Sequence, residues 1–261
     1  MRVAPPRPPV PSAFIFACIA LFAVLGSWIV MVPTTFVERV ESPPQAWVLS
    51  MGSPSLDRIM VGFTMLGDFT LTVSMMSGVI VLLLLARRHW LAIHATTVFL
   101  SVKLAVGIVK ALTDRVRPLE LYPGGDVFSF PSGHAASATL LLGVCGCLIC
   151  SRWPPAGRVG STRACSIIAA HLLVLAILVA LSRVYLQAHW PSDVIAGMAL
   201  ASALIAAFRW QLDNASPLPG WLPTATAVWL AAGYAGYLVW QFDTEFDRYR
   251  HAGAFLGRLV D

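Results

Sequence analysis

The chain has 261 residues, 57% hydrophobic and 12% charged, with a mean hydropathy of +0.75 and a formal net charge of +5. Soluble domains carry about a quarter charged residues, so 18 basic and 13 acidic side chains cannot keep so apolar a body in water. A soluble domain, a collagen-like or disordered chain and a disulfide scaffold are excluded, and the composition reads as an all-α polytopic membrane helix bundle.

A membrane-crossing helix needs about 20 apolar residues. A short basic, proline-rich head (1–12, MRVAPPRPPVPS) precedes the first candidate, near 13–32. Val32-Pro33 offers no small-residue cleavage site, so this segment reads as an uncleaved signal anchor. Further spans are expected near 67–86, 90–111, 134–151, 164–182 and 193–209, with an added seventh near 222–240. The stretch 57–66 either extends the second span or lies at the interface. The chain thus divides into the head, a six-span body over 13–209 with its motif core at 103–197, and a segment 210–261 holding the extra span and a polar tail. The five cysteines fall in apolar stretches and read as small packing residues.

Basic residues in short loops set orientation. Arg2 and Arg7, Arg87 and Arg88, Arg152, Arg158 and Arg163, and Arg209 fall in alternate segments, which places the amino terminus in the cytoplasm. Trp90, Trp153 and Trp210 then mark inner ends, and Trp190 and Trp240 outer ends, as interface anchors. A nucleic-acid partner is not expected, because the net charge is topological and forms no basic face with aromatic platforms.

Three polar islands share the outer end. The first runs from Lys110 to Arg117 and Pro118 at the close of span three. Lys103 and Lys110 are the only lysines, and seven residues is about two helical turns, so they share a face. A mid-membrane lysine costs about 2.5–3.5 kcal/mol to insert, and Lys103 is therefore expected to face inward onto a polar contact. The second island, Pro131-Ser132-Gly133-His134, opens span four, with Ser132 as a good N-cap. The positive end of the helix behind it suits an anion. The third is Ser182-Arg183 followed by His189 and Asp193. Asp193 stands four residues after His189, where a carboxylate can fix one imidazole tautomer, and Arg183 adds a planar oxyanion donor. Such a set suits a phosphate-sized anion at one membrane face.

In this order, K-x6-RP, PSGH and SR-x5-H-x3-D resemble the type 2 phosphatidic acid phosphatase superfamily, which also includes vanadium haloperoxidases, in its membrane-bound lipid phosphatase branch. All three motifs are complete over residues 110–193. Where many bacterial members read RPRP, this chain has Arg117-Pro118 followed by Leu119-Glu120. The resemblance implies a multi-pass protein of the inner membrane acting on a lipid phosphate with no cofactor and no metal. It implies His189 as nucleophile, oriented by Asp193, and His134 as general acid and then base. Lys110, Arg117, Ser132, the Gly133 amide and Arg183 are implied as phosphate-binding groups.

Candidate substrates are undecaprenyl diphosphate, phosphatidic acid, phosphatidylglycerol phosphate and a lipid A phosphate. The short linker from Leu119 to Phe130 leaves little to cap a large headgroup and mildly favours simple monoesters or a lipid diphosphate, and Gly124 and Gly125 suggest a turn that gates lipid entry. Rival readings are a phosphotransferase on the same site, a vanadate-dependent haloperoxidase, and a non-catalytic lipid-anion binding or transport protein. The apolar composition argues against the haloperoxidase, and the lack of an internal repeat against a transporter. His94 and His171 read as satisfied interior histidines, and Asp68 as a group near the pocket rim.

Overall fold

The computed structural model describes residues 11–32, 34–119, 128–151 and 159–255. Residues 1–10 of the basic head, most of the 119–130 linker with Gly124 and Gly125, the loop holding Arg152, Trp153 and Arg158, and the last six residues lie outside these. The described residues form nine helices: α1 (Ser12–Met31), α2 (Thr34–Ser50), α3 (Pro54–Met65), α4 (Phe69–Leu85), α5 (His89–Thr113), α6 (Gly133–Cys150), α7 (Val159–Tyr185), α8 (Pro191–Asp213) and α9 (Leu222–His251). Five of them (α1, α5, α6, α7 and α8) are long and apolar enough to cross a membrane, and six spans result if the α3–α4 pair, bent by 44°, counts as one. The expected spans are thus present as helices, and 57–66 is part of that bent pair.

The segment after α1, expected as a loop between spans, is instead helical. Proline fits the first turn of a helix without loss, and Pro54 starts α3 behind a Ser53 cap. Pro43 and Pro44 lie inside α2. That helix packs on α7 and α8, and this carries Glu41 from an apparent surface loop to a buried position.

α6 is the centre of the bundle: 67% of its apolar window is buried against 6% for α1, which lies along α8 at the periphery. Small residues let α8 approach α6 closely. A Cβ at Gly197 would stand 2.6 Å from the Ser132 carbonyl oxygen, so the start of α8 presses directly on the turn that opens α6. α5 ends where Asp114 turns left-handed (φ 46°) and its N–H returns to the Lys110 carbonyl. α9 runs beside α4, from Leu222, packed in the core with Leu83 and Leu212, to Tyr249, packed with Val61 and Tyr185. Its stretch 222–239 carries no charge, although Thr, Gly and Tyr residues dilute its hydropathy, and it is not among the five.

The Gly197 contact yields a test. Gly197→Ala is expected to lower stability by about 1–3 kcal/mol through overpacking against backbone. Thermal unfolding in detergent measures this, with Gly220→Ala, where a Cβ meets nothing within 4 Å, as the unaffected control.

Candidate active site

Each island ends a helix, and the bundle gathers those ends. Lys110 closes α5, Gly133 and His134 open α6, and His189 sits in the short turn between α7 and α8. Lys103, Lys110, Arg117, Gly133, His134 and His189 all line one cavity of about 640 Å³, within the usual range for a small-ligand site. Ser132, Arg183 and Asp193 are fully buried in its walls. The sequence-expected residues are therefore brought together, six on the cavity surface and three behind it.

His189 is ordered from both sides. Its Nδ1 stands 3.4 Å from Asp193 Oδ2, and its Nε2 is 3.1 Å from Arg117 Nη1, which also donates to the Ala188 carbonyl at 2.9 Å. With a carboxylate at Nδ1 and a guanidinium donor at Nε2, the proton belongs on Nδ1 and the Nε2 lone pair points toward the cationic wall. Burial, then the charges of Arg117, Arg183 and Lys110 and the neighbouring His134, hold His189 well below the usual histidine range.

Asp193 is anchored more firmly by other groups. Pro191 starts α8, and Asp193, three residues after the Trp190 N-cap, accepts the Trp190 N–H at 2.9 Å. Arg115 Nη1 donates to Asp193 Oδ1 at 2.6 Å and Arg115 Nη2 to Glu41 Oε1 at 2.9 Å. The Ser192 hydroxyl joins the same knot, accepting from Arg115 at 2.7 Å and donating to Glu41 at 2.9 Å. Trp190, expected as an interface anchor, is instead buried, donating its indole N–H to the Val116 carbonyl at 3.0 Å beneath the Arg115 guanidinium.

The anion-binding side is assembled from helix ends. The Ser132 hydroxyl caps α6 by accepting the Ala135 N–H at 3.3 Å, which leaves the Gly133 and His134 amides, without intrahelical partners, at the cavity. Lys110 Nζ donates to the Phe128 carbonyl at 2.8 Å. Lys103 does face inward, donating to Ser137 at 2.7 Å and Thr72 at 3.3 Å between the rings of Phe69 and Phe99. Arg183 donates to Thr64 at 2.6 Å and to the Tyr249 hydroxyl.

Sequence reasoning passed over Arg115, two positions before the motif arginine, and Glu41. It gave no site role to the seventh span and left the tail unassigned, whereas Tyr237 of that span and Glu245 and Arg248 of the tail, all on α9, line the cavity, with Arg248 and Glu245 paired at 2.6 Å. Asp68 does more than reach the rim: its Oδ1 is 2.9 Å from His134 Nε2. His171 is exposed on α7 rather than interior, bonding back to the Ile167 carbonyl. His94 packs edge-on against Trp90.

Residues 90–217 match the family model of the PAP2 superfamily, a span that contains all three motifs. The chain carries a PAP2 superfamily domain. It is 28% identical over 173 residues to phosphatidylglycerophosphatase B of Bacillus subtilis, covering 66% of this chain and 82% of that relative. The crystal structure of a transmembrane PAP2 type phosphatidylglycerolphosphate phosphatase from Bacillus subtilis superimposes with a TM-score of 0.66 at 23% identity, over 77% of this chain and 97% of the other. The chain is thus a homologue of a PAP2-family phosphatase, and its fold is the transmembrane PAP2 fold.

The Arg115 knot predicts a stability pattern. Arg115→Met leaves Glu41 and Asp193 as buried carboxylates without their cation and is expected to cost about 3–5 kcal/mol. Adding Glu41→Gln removes one stranded charge, so the double variant is expected to recover part of the loss in thermal unfolding.

Proposed function

We propose that this protein is a metal-independent lipid phosphatase of the inner membrane, hydrolysing a phosphomonoester or diphosphate on a lipid through a phosphohistidine intermediate. The observation that carries this reading is the His189 ring, with Asp193 at Nδ1 and its Nε2 lone pair at the cationic wall of a cavity that also holds His134 and Lys110. His189 Nε2 attacks phosphorus in line. Lys110, Arg117 and the Gly133 and His134 amides take up the charge on the equatorial oxygens, as preorganised donors do where charge develops. Ser132 holds that helix turn in place, and Arg183 adds positive potential from behind it. His134 protonates the leaving oxygen and then draws a proton from the water that releases phosphate, a role worth about 10²–10⁴ in rate.

The substrate class follows from the site's setting at one end of an apolar bundle, which favours a phosphate attached to a lipid. Phosphatidic acid, phosphatidylglycerol phosphate and undecaprenyl diphosphate all meet that description. The relative's name supports the phosphatidylglycerol phosphate option. The positive-inside pattern supports a cytoplasmic amino terminus and an active site on the periplasmic or extracellular face. An added crossing by α9 fits this arrangement, because the helix begins near the Arg88 end of the bundle and finishes at the site.

Purified protein in detergent and chelator is expected to release phosphate from at least one of these lipids. His189→Ala and His134→Ala are each expected to remove that activity while the unfolding midpoint stays near wild type. Near-full activity in either variant would defeat the role assigned to that histidine.

The pH dependence follows in sign. His189 titrates below its ordinary value of 6.5, so its neutral, nucleophilic form persists as pH falls past that point. The acid limb of kcat/KM is expected below pH 6.5. The unfolded chain binds the proton that folded His189 refuses, so stability is present above pH 6.5 and declines as pH falls below it. Rate and unfolding profiles between neutrality and mild acid measure both effects.

A further inference from the structure

Asp68 belongs to none of the three motifs and lies outside residues 90–217, yet its carboxylate is committed to the site. An aspartate at an N-cap usually turns its oxygens onto the first helical amides. Asp68 is the N-cap of α4 and makes no such bond. Its backbone carbonyl instead takes the Thr72 N–H at 2.9 Å and the Thr72 hydroxyl at 2.8 Å. The freed carboxylate spans two elements: Oδ1 meets His134 Nε2 at 2.9 Å, and Oδ2 accepts the Tyr237 hydroxyl of α9 at 3.1 Å. The approach is fixed in the backbone next door, because a Cβ at Gly67 would stand 2.8 Å from the His134 carbonyl oxygen and 2.9 Å from its Cβ. Asp68, His134 and Tyr237 all line the cavity.

We infer that Asp68, held by Tyr237, is the positioning residue for His134, the counterpart of Asp193 for His189. The inference rests on the phosphatase reading above. Asp68 accepts the Nε2–H of His134, fixes the ring plane and favours its protonated form, which leaves Nδ1–H to serve the substrate. In the first half-reaction the bond from His189 Nε2 to phosphorus forms as the bond from phosphorus to the leaving oxygen breaks, and that oxygen takes the Nδ1 proton of His134. In the second half, water attacks phosphorus, the nitrogen–phosphorus bond breaks with its electron pair returning to His189, and His134 Nδ1 takes the water's proton. Phosphate leaves, and both histidines are back where they began. Both Asp68 carboxylate oxygens are taken up by His134 and Tyr237, so its effect is assigned to His134.

Such a role separates substrates by leaving group. A long-chain alkyl phosphate departs as a basic alkoxide and needs the proton, whereas an alkyl-nitrophenyl phosphate of equal chain length departs unaided. For Asp68→Asn, the alkyl phosphate is expected to lose about 10²-fold in kcat with KM within about twofold. The initial burst of nitrophenol is expected to stay within about threefold of wild type, since phosphohistidine formation from that substrate needs no acid. That retained burst also reports a folded site. Tyr237→Phe is expected to give the same selective loss in smaller degree, and Asp68→Glu to restore part of the alkyl activity. Equal losses on both substrates would reduce the Asp68 contact to a helix tie and overturn the inference, as would full alkyl activity in Asp68→Asn. Wild-type protein inert on both substrates, or a burst surviving in His189→Ala, would strike the phosphatase reading itself and carry this inference down with it.

Discussion

A carboxylate sealed away from water has to be paired, and the pairing of Asp193 organises much of the site. Its two oxygens meet Arg115, the Trp190 N–H and His189, and its backbone carbonyl accepts the Ser132 N–H at 2.9 Å. One residue therefore ties the segment after α5, the turn that opens α6 and the start of α8. Through Arg115 and Ser192 the tie reaches Glu41 on α2. The stakes are set by burial, since an uncompensated charge in such a place costs several kcal/mol. The contact to His189 is the longest of the set at 3.4 Å, as hydrogen bonds at a resting active site often are.

Around that knot the cavity divides by charge. Lys103, Lys110 and Arg117 supply the cationic side from α5 and the segment beyond it, and the opened first turn of α6 adds oriented amides. Asp68 faces them from the α3–α4 bend, and α9 adds Glu245 with its partner Arg248. The two histidines stand between these sides, one with a guanidinium at its free nitrogen and the other with a carboxylate. Each ring also has a carboxylate at one nitrogen, Asp193 for His189 and Asp68 for His134.

Much of the cationic half was legible in the sequence, because it is written locally. The seven-residue spacing of Lys103 and Lys110, the capping serine of PSGH and the four-residue step from His189 to Asp193 each state their geometry within one or two helical turns. Apolar length located the helices for a similar reason. The acidic and supporting half was not legible. Glu41 meets Ser192 across 151 positions and Asp68 meets Tyr237 across 169, and no period or motif records such a meeting. Glu41 lies in a stretch whose sequence does not announce a helix, since prolines disfavour helix interiors, yet α2 runs through Pro43 and Pro44 and carries it inward. Asp68 reads only as a group near the pocket rim, because its place before α4 does not reveal that its carboxylate leaves the cap for His134.

Arg183 is enclosed by Thr64 from α3 and Tyr249 from α9, elements far apart in chain order. During synthesis α7 enters the bilayer well before α9 exists, so this guanidinium must spend that interval without its tyrosine. The same holds for Asp68, whose hydroxyl partner is carried by α9. Completion of the site thus waits for α9, and a chain whose insertion stalls after α8 holds all three motifs yet lacks the wall that closes around them.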